Sequence, residues 1–141
     1  MSETSDSERT LPIGIQGEAE WTVGPGDLAS VLAGPGESLP PVFATARMVA
    51  LMEISAMRAL APLLLPGQES VGVLVNVMHT AATPPGSKVR SVATYRGRAG
   101  KFHEFEVVAF DDAGEIGRGT HQRAIVDRER LVRGASLRRG K

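Results

Sequence analysis

The chain of 141 residues contains no cysteine. Disulfides, thiol chemistry and Cys-ligated metals are thereby excluded, and nothing indicates a redox compartment. It has no net charge either, 16 Lys and Arg standing against 16 Asp and Glu, which argues against a nucleic-acid partner. The first residues are acidic and polar, where a secretory leader needs a basic and then an apolar segment, so cytoplasm is the expected location. No Gly-rich phosphate loop opens a helix, and no G-x-S-x-G elbow appears. His79, His103 and His121 fall on three separate strand-like segments without metal-ligand spacing, so no metal site is expected. Strands and helices do not alternate, which speaks against a doubly wound sheet.

What the chain does have is an unusual helix. Residues 43–65, FATARMVALMEISAMRALAPLLL, are rich in Ala, Leu and Met, all strong helix formers. Apolar side chains go most of the way round the axis, which predicts burial. Thr45 is placed to cap the first turn and Pro62 to end the run. About 16 helical residues span roughly 24 Å, too short for a membrane crossing, and Glu53 and Arg58 interrupt the run. The length suits one domain. We expect a disordered leader over residues 1–10, a domain over 11–130 and a basic tail over 131–141. The tail reads as a solvated extension, a cation patch for a phosphorylated ligand, or a nucleic-acid arm.

Strand patterns surround the helix. Residues 11–23 alternate apolar and polar, with a bend or bulge expected at Gly17. Residues 70–82 carry Val71, Val73, Val75, Val77 and His79 on one face and Leu74, Asn76 and Met78 on the other. Both faces are mostly apolar, which predicts a central strand. Strands follow over 88–95 and 101–110, with a loop over 97–100 between them. Asp111-Asp112-Ala113-Gly114 is a hairpin turn leading to a last strand over 115–126. The fold class is α+β, an antiparallel sheet curled over one long helix. One such sheet covers only part of the helix and leaves strand edges free, so a dimer is expected.

Glu53 is the first candidate for chemistry. A carboxylate in an apolar helix is costly unless paired, and it suits a general base. A structural contact or plain surface exposure would explain it as well. Thr45 lies eight residues earlier, near the same side but about 12 Å away, and could be only a cap. His79 follows four valines, as a catalytic imidazole or a core histidine.

Four segments together carry a resemblance. Pro41-Val42-Phe43-Ala44-Thr45, Leu51-Met52-Glu53, Met78-His79-Thr80-Ala81 and Gly119-Thr120-His121-Gln122-Arg123-Ala124 resemble the bacterial fluoroacetyl-CoA thioesterase family, in the same order. The resemblance implies a hotdog fold, with a curved antiparallel sheet wrapped around the helix, and a homodimer with active sites near the interface. It implies Thr45, Glu53 and His79 as the catalytic set, and Gly72 and Arg123 lining the substrate site. The substrate would be an acyl-CoA, coenzyme A being part of it, with no further cofactor. An apolar Phe lid is expected before the helix; here the segment reads Gly36-Glu37-Ser38-Leu39-Pro40-Pro41. Leu39 stands where one lid Phe belongs, so we expect a smaller lid over the acyl end. A hotdog dehydratase and a non-catalytic acyl-CoA binder are the competing readings.

Overall fold

The computed structural model describes residues 10–140. The leader expected over 1–10 therefore lies, except for Thr10, outside the described residues, as does Lys141. Strands β1 (Gln16–Thr22), β2 (Gln68–His79), β3 (Lys88–Ala99), β4 (Phe102–Asp111) and β5 (Gly114–Asp127) join helices α1 (Thr45–Leu60) and α2 (Arg128–Arg138). The strands form one antiparallel sheet in the order β1-β3-β4-β5-β2. The sheet curves around α1, which is the hotdog fold.

The helix is held by periodicity. Met48, Leu51, Met52, Ser55, Ala56, Ala59 and Leu60 are its buried residues, recurring every three or four positions along one stripe. They meet Ala19, Val89, Ala93, Phe105, Val107 and Ile116 from the concave face of the sheet in one core. The opposite side, including Met57 and Arg58, is exposed. The sheet thus covers part of the helix, as the sequence led us to expect. The one buried hydroxyl on the stripe is satisfied: Ser55 Oγ donates to the Met52 carbonyl at 2.8 Å and lies 3.0 Å from Ser91 Oγ.

Four local expectations need correction. Gly17 marks no bulge, because β1 pairs with β3 in unbroken register from Gln16 to Thr22. It marks a close approach: a Cβ there would collide with the Ser55 carbonyl and the Ala59 amide of α1. The β3 strand does not stop before Gly97 but runs on to Ala99 through a register shift between Tyr95 and Gly97. Residues 128–138 are helical, where only the end of the domain at 130 and a basic tail from 131 were expected. Asp127 caps this helix by accepting the Arg130 amide at 2.9 Å.

The fourth correction matters most. The strand read as central, β2, is an edge. Two apolar faces also describe an edge strand that something else must cover. Val73, Leu74, Val75 and Met78 are 45%, 43%, 44% and 69% exposed there. Such a run of free backbone and apolar side chains is a template for pairing with another chain. Among the described residues no helix is long and apolar enough to cross a membrane.

The contact at Gly17 gives a test. Gly17→Ala should destabilise the protein by about 1–3 kcal/mol, since α1 must move off β1. That corresponds to a melting temperature lower by roughly 2–4 °C per kcal/mol. Gly26→Ala meets nothing within 4 Å and serves as the control. Thermal melts at matched protein concentration measure both; equal melting temperatures would show that the helix contact carries no such constraint.

Candidate active site

A bulge in β2 organises the site. Pairing with β5 runs Gln68↔Asp127, Ser70↔Ile125 and Gly72↔Arg123, then shifts, and resumes as Leu74↔Gln122, Val75↔His121 and His79↔Gly117. Val73 is the extra residue. Beyond it the parity of the strand inverts, since side chains alternate with period two. Ser70 and Gly72 before the bulge, and Val75 and His79 after it, therefore share the helix side of the sheet. A single unbroken alternation, as expected from the valines, would have separated them.

Two clusters form on this face. The first joins the start of α1 to the end of β2. Thr45 is the first residue of the helix, Ala44 is the N-cap, and no side-chain bond caps the turn. The hydroxyl expected to cap the helix instead lies 2.8 Å from His79 Nδ1. The Phe43 ring meets the imidazole edge-on at 6.5 Å. His79 Nε2 is buried and, among the described residues, has no hydrogen-bond partner. Burial pushes the His79 pKa below its ordinary value, and the Ala81 backbone offsets this in part. A cleft of about 400 Å³ adjoins the pair, with walls that include Pro40, Val42, Phe43 and Thr80. Leu39 is next to this wall in sequence and is 46% exposed.

The second cluster surrounds Arg123, whose side chain is only 7% exposed. Its Nη1 lies 3.2 Å from Glu53 Oε1, its Nε donates to Ser70 Oγ at 2.9 Å, and its Nη2 donates to the Ser70 carbonyl at 2.9 Å. Glu53 is less enclosed, with 38% of its side chain exposed. It is neither a fully buried carboxylate nor a plain surface acid. Burial lowers the Arg123 pKa, while the Glu53 charge acts against that. A Cβ on Gly72 would strike Glu53 Oε1, so the glycine lets backbone and carboxylate come together.

Within one protomer these clusters stay apart. Thr45 and His79 meet, and Glu53, Gly72 and Arg123 meet, but Glu53 is eight positions along α1 from Thr45, which separates the two groups by roughly 12 Å. The sequence reading missed Ser70 and His121 as members of the second cluster. Period-two spacing carried the signal for His121, since it stands two residues before Arg123 on one strand face.

The sequence pattern of the FlK family, fluoroacetyl-CoA-specific thioesterases, matches residues 23–129. The fluoroacetyl-CoA thioesterase of Streptantibioticus cattleyicolor is 48% identical over 92 residues. That stretch is 65% of this chain and 66% of the relative, just under two thirds of its length. A solved structure of the fluoroacetyl-CoA thioesterase FlK superposes with a TM-score of 0.83 at 37% identity, covering 93% of this chain and 98% of the other. A thioesterase-superfamily protein of Thermus thermophilus superposes with a TM-score of 0.81 at 29% identity, over 92% of each chain.

The histidines set an expected pH dependence of stability. His79, His103 and His121 all have pKa values lowered chiefly by burial. The unfolded chain takes up protons near pH 6.5 that the folded chain refuses. Their contribution is therefore complete above about pH 6.5 and is lost as the pH falls towards the lowered folded values. Urea midpoints at a fixed protein concentration should be lower at about pH 5.5 than at about pH 7.5. Equal midpoints would contradict the neutral burial of these imidazoles.

Proposed function

The chain belongs to the fluoroacetyl-CoA-specific thioesterase family, and from that we infer that it hydrolyses an acyl-CoA thioester to the acid and free coenzyme A, at a site shared by two copies. The observation that carries the shared site is the edge strand β2. Its exposed apolar run, from Val73 to Met78, lies between the two clusters. Antiparallel pairing of this strand with a second copy, about a two-fold axis at Asn76 and with the bulged Val73 skipped, sets each His79 opposite Gly72 of the partner subunit. The cluster of Thr45 and His79 then meets Glu53 of the partner subunit. The same pairing covers the apolar edge, which a lone protomer leaves in water.

In this reading Glu53 takes a proton from the water that attacks the thioester carbonyl. The Gly72 amide stabilises the oxyanion. Collapse of the intermediate breaks the carbon–sulfur bond, and the proton that Glu53 took from water passes to His79 and from it to the departing thiolate, so that both groups end in the state in which they began. Thr45 orients the His79 imidazole through its 2.8 Å contact. Arg123 fixes the carboxylate through its 3.2 Å ion pair. Free acyl-CoA as substrate fits a cytoplasmic enzyme, and nucleic acid has no part in the reaction.

Subunit complementation tests the shared site. Glu53→Ala and His79→Ala should each reduce free-thiol release at least 10²-fold while remaining folded dimers. In a cross-subunit arrangement a mixed dimer has one doubly damaged site and one intact site. Co-refolding equal amounts should restore about one quarter of wild-type activity, because half the dimers are mixed. No recovery from mixed dimers would place the whole site in one protomer.

The acyl group is addressed by Leu39. A side chain smaller than Phe, itself 46% exposed, closes the acyl end less completely. Fluoroacetyl and acetyl differ by one fluorine, and an apolar pocket resolves even a methylene by only about 1–3 kcal/mol. The protein should not strongly prefer fluoroacetyl-CoA to acetyl-CoA, and butyryl-CoA should be accepted at least as well. Comparison of kcat/KM over that panel decides it. A fluoroacetyl preference above about 10³-fold, or roughly 4 kcal/mol, would show that another residue closes the site.

A further inference from the structure

His121 is not used by the reaction as drawn, yet its surroundings define its state completely. It is 1% exposed. Its Nδ1 lies 2.7 Å from the Leu74 carbonyl, and its Nε2 lies 3.1 Å from Arg123 Nη1. A carbonyl oxygen only accepts, so Nδ1 carries a proton. A guanidinium nitrogen only donates, so Nε2 carries a lone pair. Both ring nitrogens are committed, and the imidazole is neutral in the Nδ1–H form. Phe105 packs against the ring at 6.3 Å between centroids.

The connection runs from backbone to carboxylate. Leu74 follows the bulge residue Val73, where the ladder between β2 and β5 is broken. The His121 Nδ1–H satisfies the Leu74 carbonyl there. The other side of the ring fixes Nη1 of Arg123, the same atom that meets Glu53 Oε1. We propose that His121 is a positioning residue: as a neutral imidazole it ties the β2 bulge to the Arg123 guanidinium and so sets the angle at which Glu53 faces the thioester. This rests on Glu53 being the reacting carboxylate.

The charged and titratable groups around the ring agree with a neutral state. They are Arg123 on β5, Glu53 on α1, and His103 on β4 opposite Arg123 with Tyr95 of β3 hydrogen-bonded to it. From β2 the ring is met by the Leu74 carbonyl and by Gly72, neither of which carries a charge. Burial is the main cause that lowers the His121 pKa; the Leu74 carbonyl acts against it, Arg123 adds to it and Glu53 opposes it. A second proton would put an N–H against the guanidinium, two donors facing each other in a buried space.

Three variants separate positioning from packing. His121→Gln can keep an acceptor for Arg123, His121→Asn keeps only a donor for the Leu74 carbonyl, and His121→Phe keeps the volume and neither bond. The expected result is a kcat lowered about 10- to 100-fold in H121N and H121F with KM nearly unchanged, and within about threefold of wild type in H121Q. Urea midpoints of H121N and H121Q should be alike, so that the difference in kcat does not follow stability. In the wild-type dimer, nitrogen-15 shifts of the ring should report the Nδ1–H form at neutral pH. An Nε2–H form, equal kcat in H121N and H121Q, or losses that track the urea midpoint would overturn the proposal. Glu53→Ala measured alongside identifies failure of the underlying reading: if that variant keeps its turnover, the carboxylate is misassigned, whereas the ring shifts still test the tautomer.

Discussion

A guanidinium with 7% of its side chain exposed is the constraint to which the site answers. Removing such a charge from water costs several kcal/mol unless geometry and hydrogen bonding restore it. Arg123 has Ser70 on two of its nitrogens, and Glu53 and His121 on the third. These partners come from β2, α1 and β5, so the three elements have little freedom relative to one another. A buried pair of this kind is weak evidence of stability, but it fixes a carboxylate that would otherwise swing on a flexible side chain. Glu53 itself remains partly exposed, with 38% of its side chain open to solvent.

The helix and sheet make this possible by packing more closely than side chains usually allow. Gly17 lets the α1 backbone touch β1, and Gly72 lets the Glu53 carboxylate reach the β2 backbone. The two glycines act at opposite edges of the sheet. Between them α1 is seated so that Thr45 and Glu53, the two candidate site residues it carries, reach the two ends of the exposed β2 run. The apolar side chains of that run and the separation of the clusters point to the same arrangement from independent directions.

Much of this was legible in the sequence. The long helix, its 16 residues, the antiparallel strands and the hairpin at Asp111-Asp112-Ala113-Gly114 follow from composition, period and turn chemistry, and the structure agrees. The residue pattern singled out Glu53, Thr45 and His79, the resemblance added Gly72 and Arg123, and the structure groups the five in two sets. What periodicity could not supply was strand position: two apolar faces describe a central strand and an uncovered edge equally well. Nor could it see the bulge at Val73, since an extra residue leaves an apolar run looking unbroken. His121 was visible only as an imidazole, because a role as a connector depends on the carbonyl at Leu74, which no side-chain pattern reveals. Thr45 looked like a cap because caps are local, whereas its actual partner is 34 residues away in sequence.

The bulge makes β2 a strand in two reading frames. Residues up to Gly72 are read in one phase and those from Leu74 in the other, and the site draws on both. Point substitutions at Val73 leave the phases as they are. Loss of that single codon would not merely shorten the strand: it would turn one half over, and either Ser70 and Gly72 or Val75 and His79 would face the wrong side. In such a lineage the strand can drift in composition far more freely than in length. Conserved spacing between Gly72 and His79 is then a better mark of a working site than any one of the apolar residues between them.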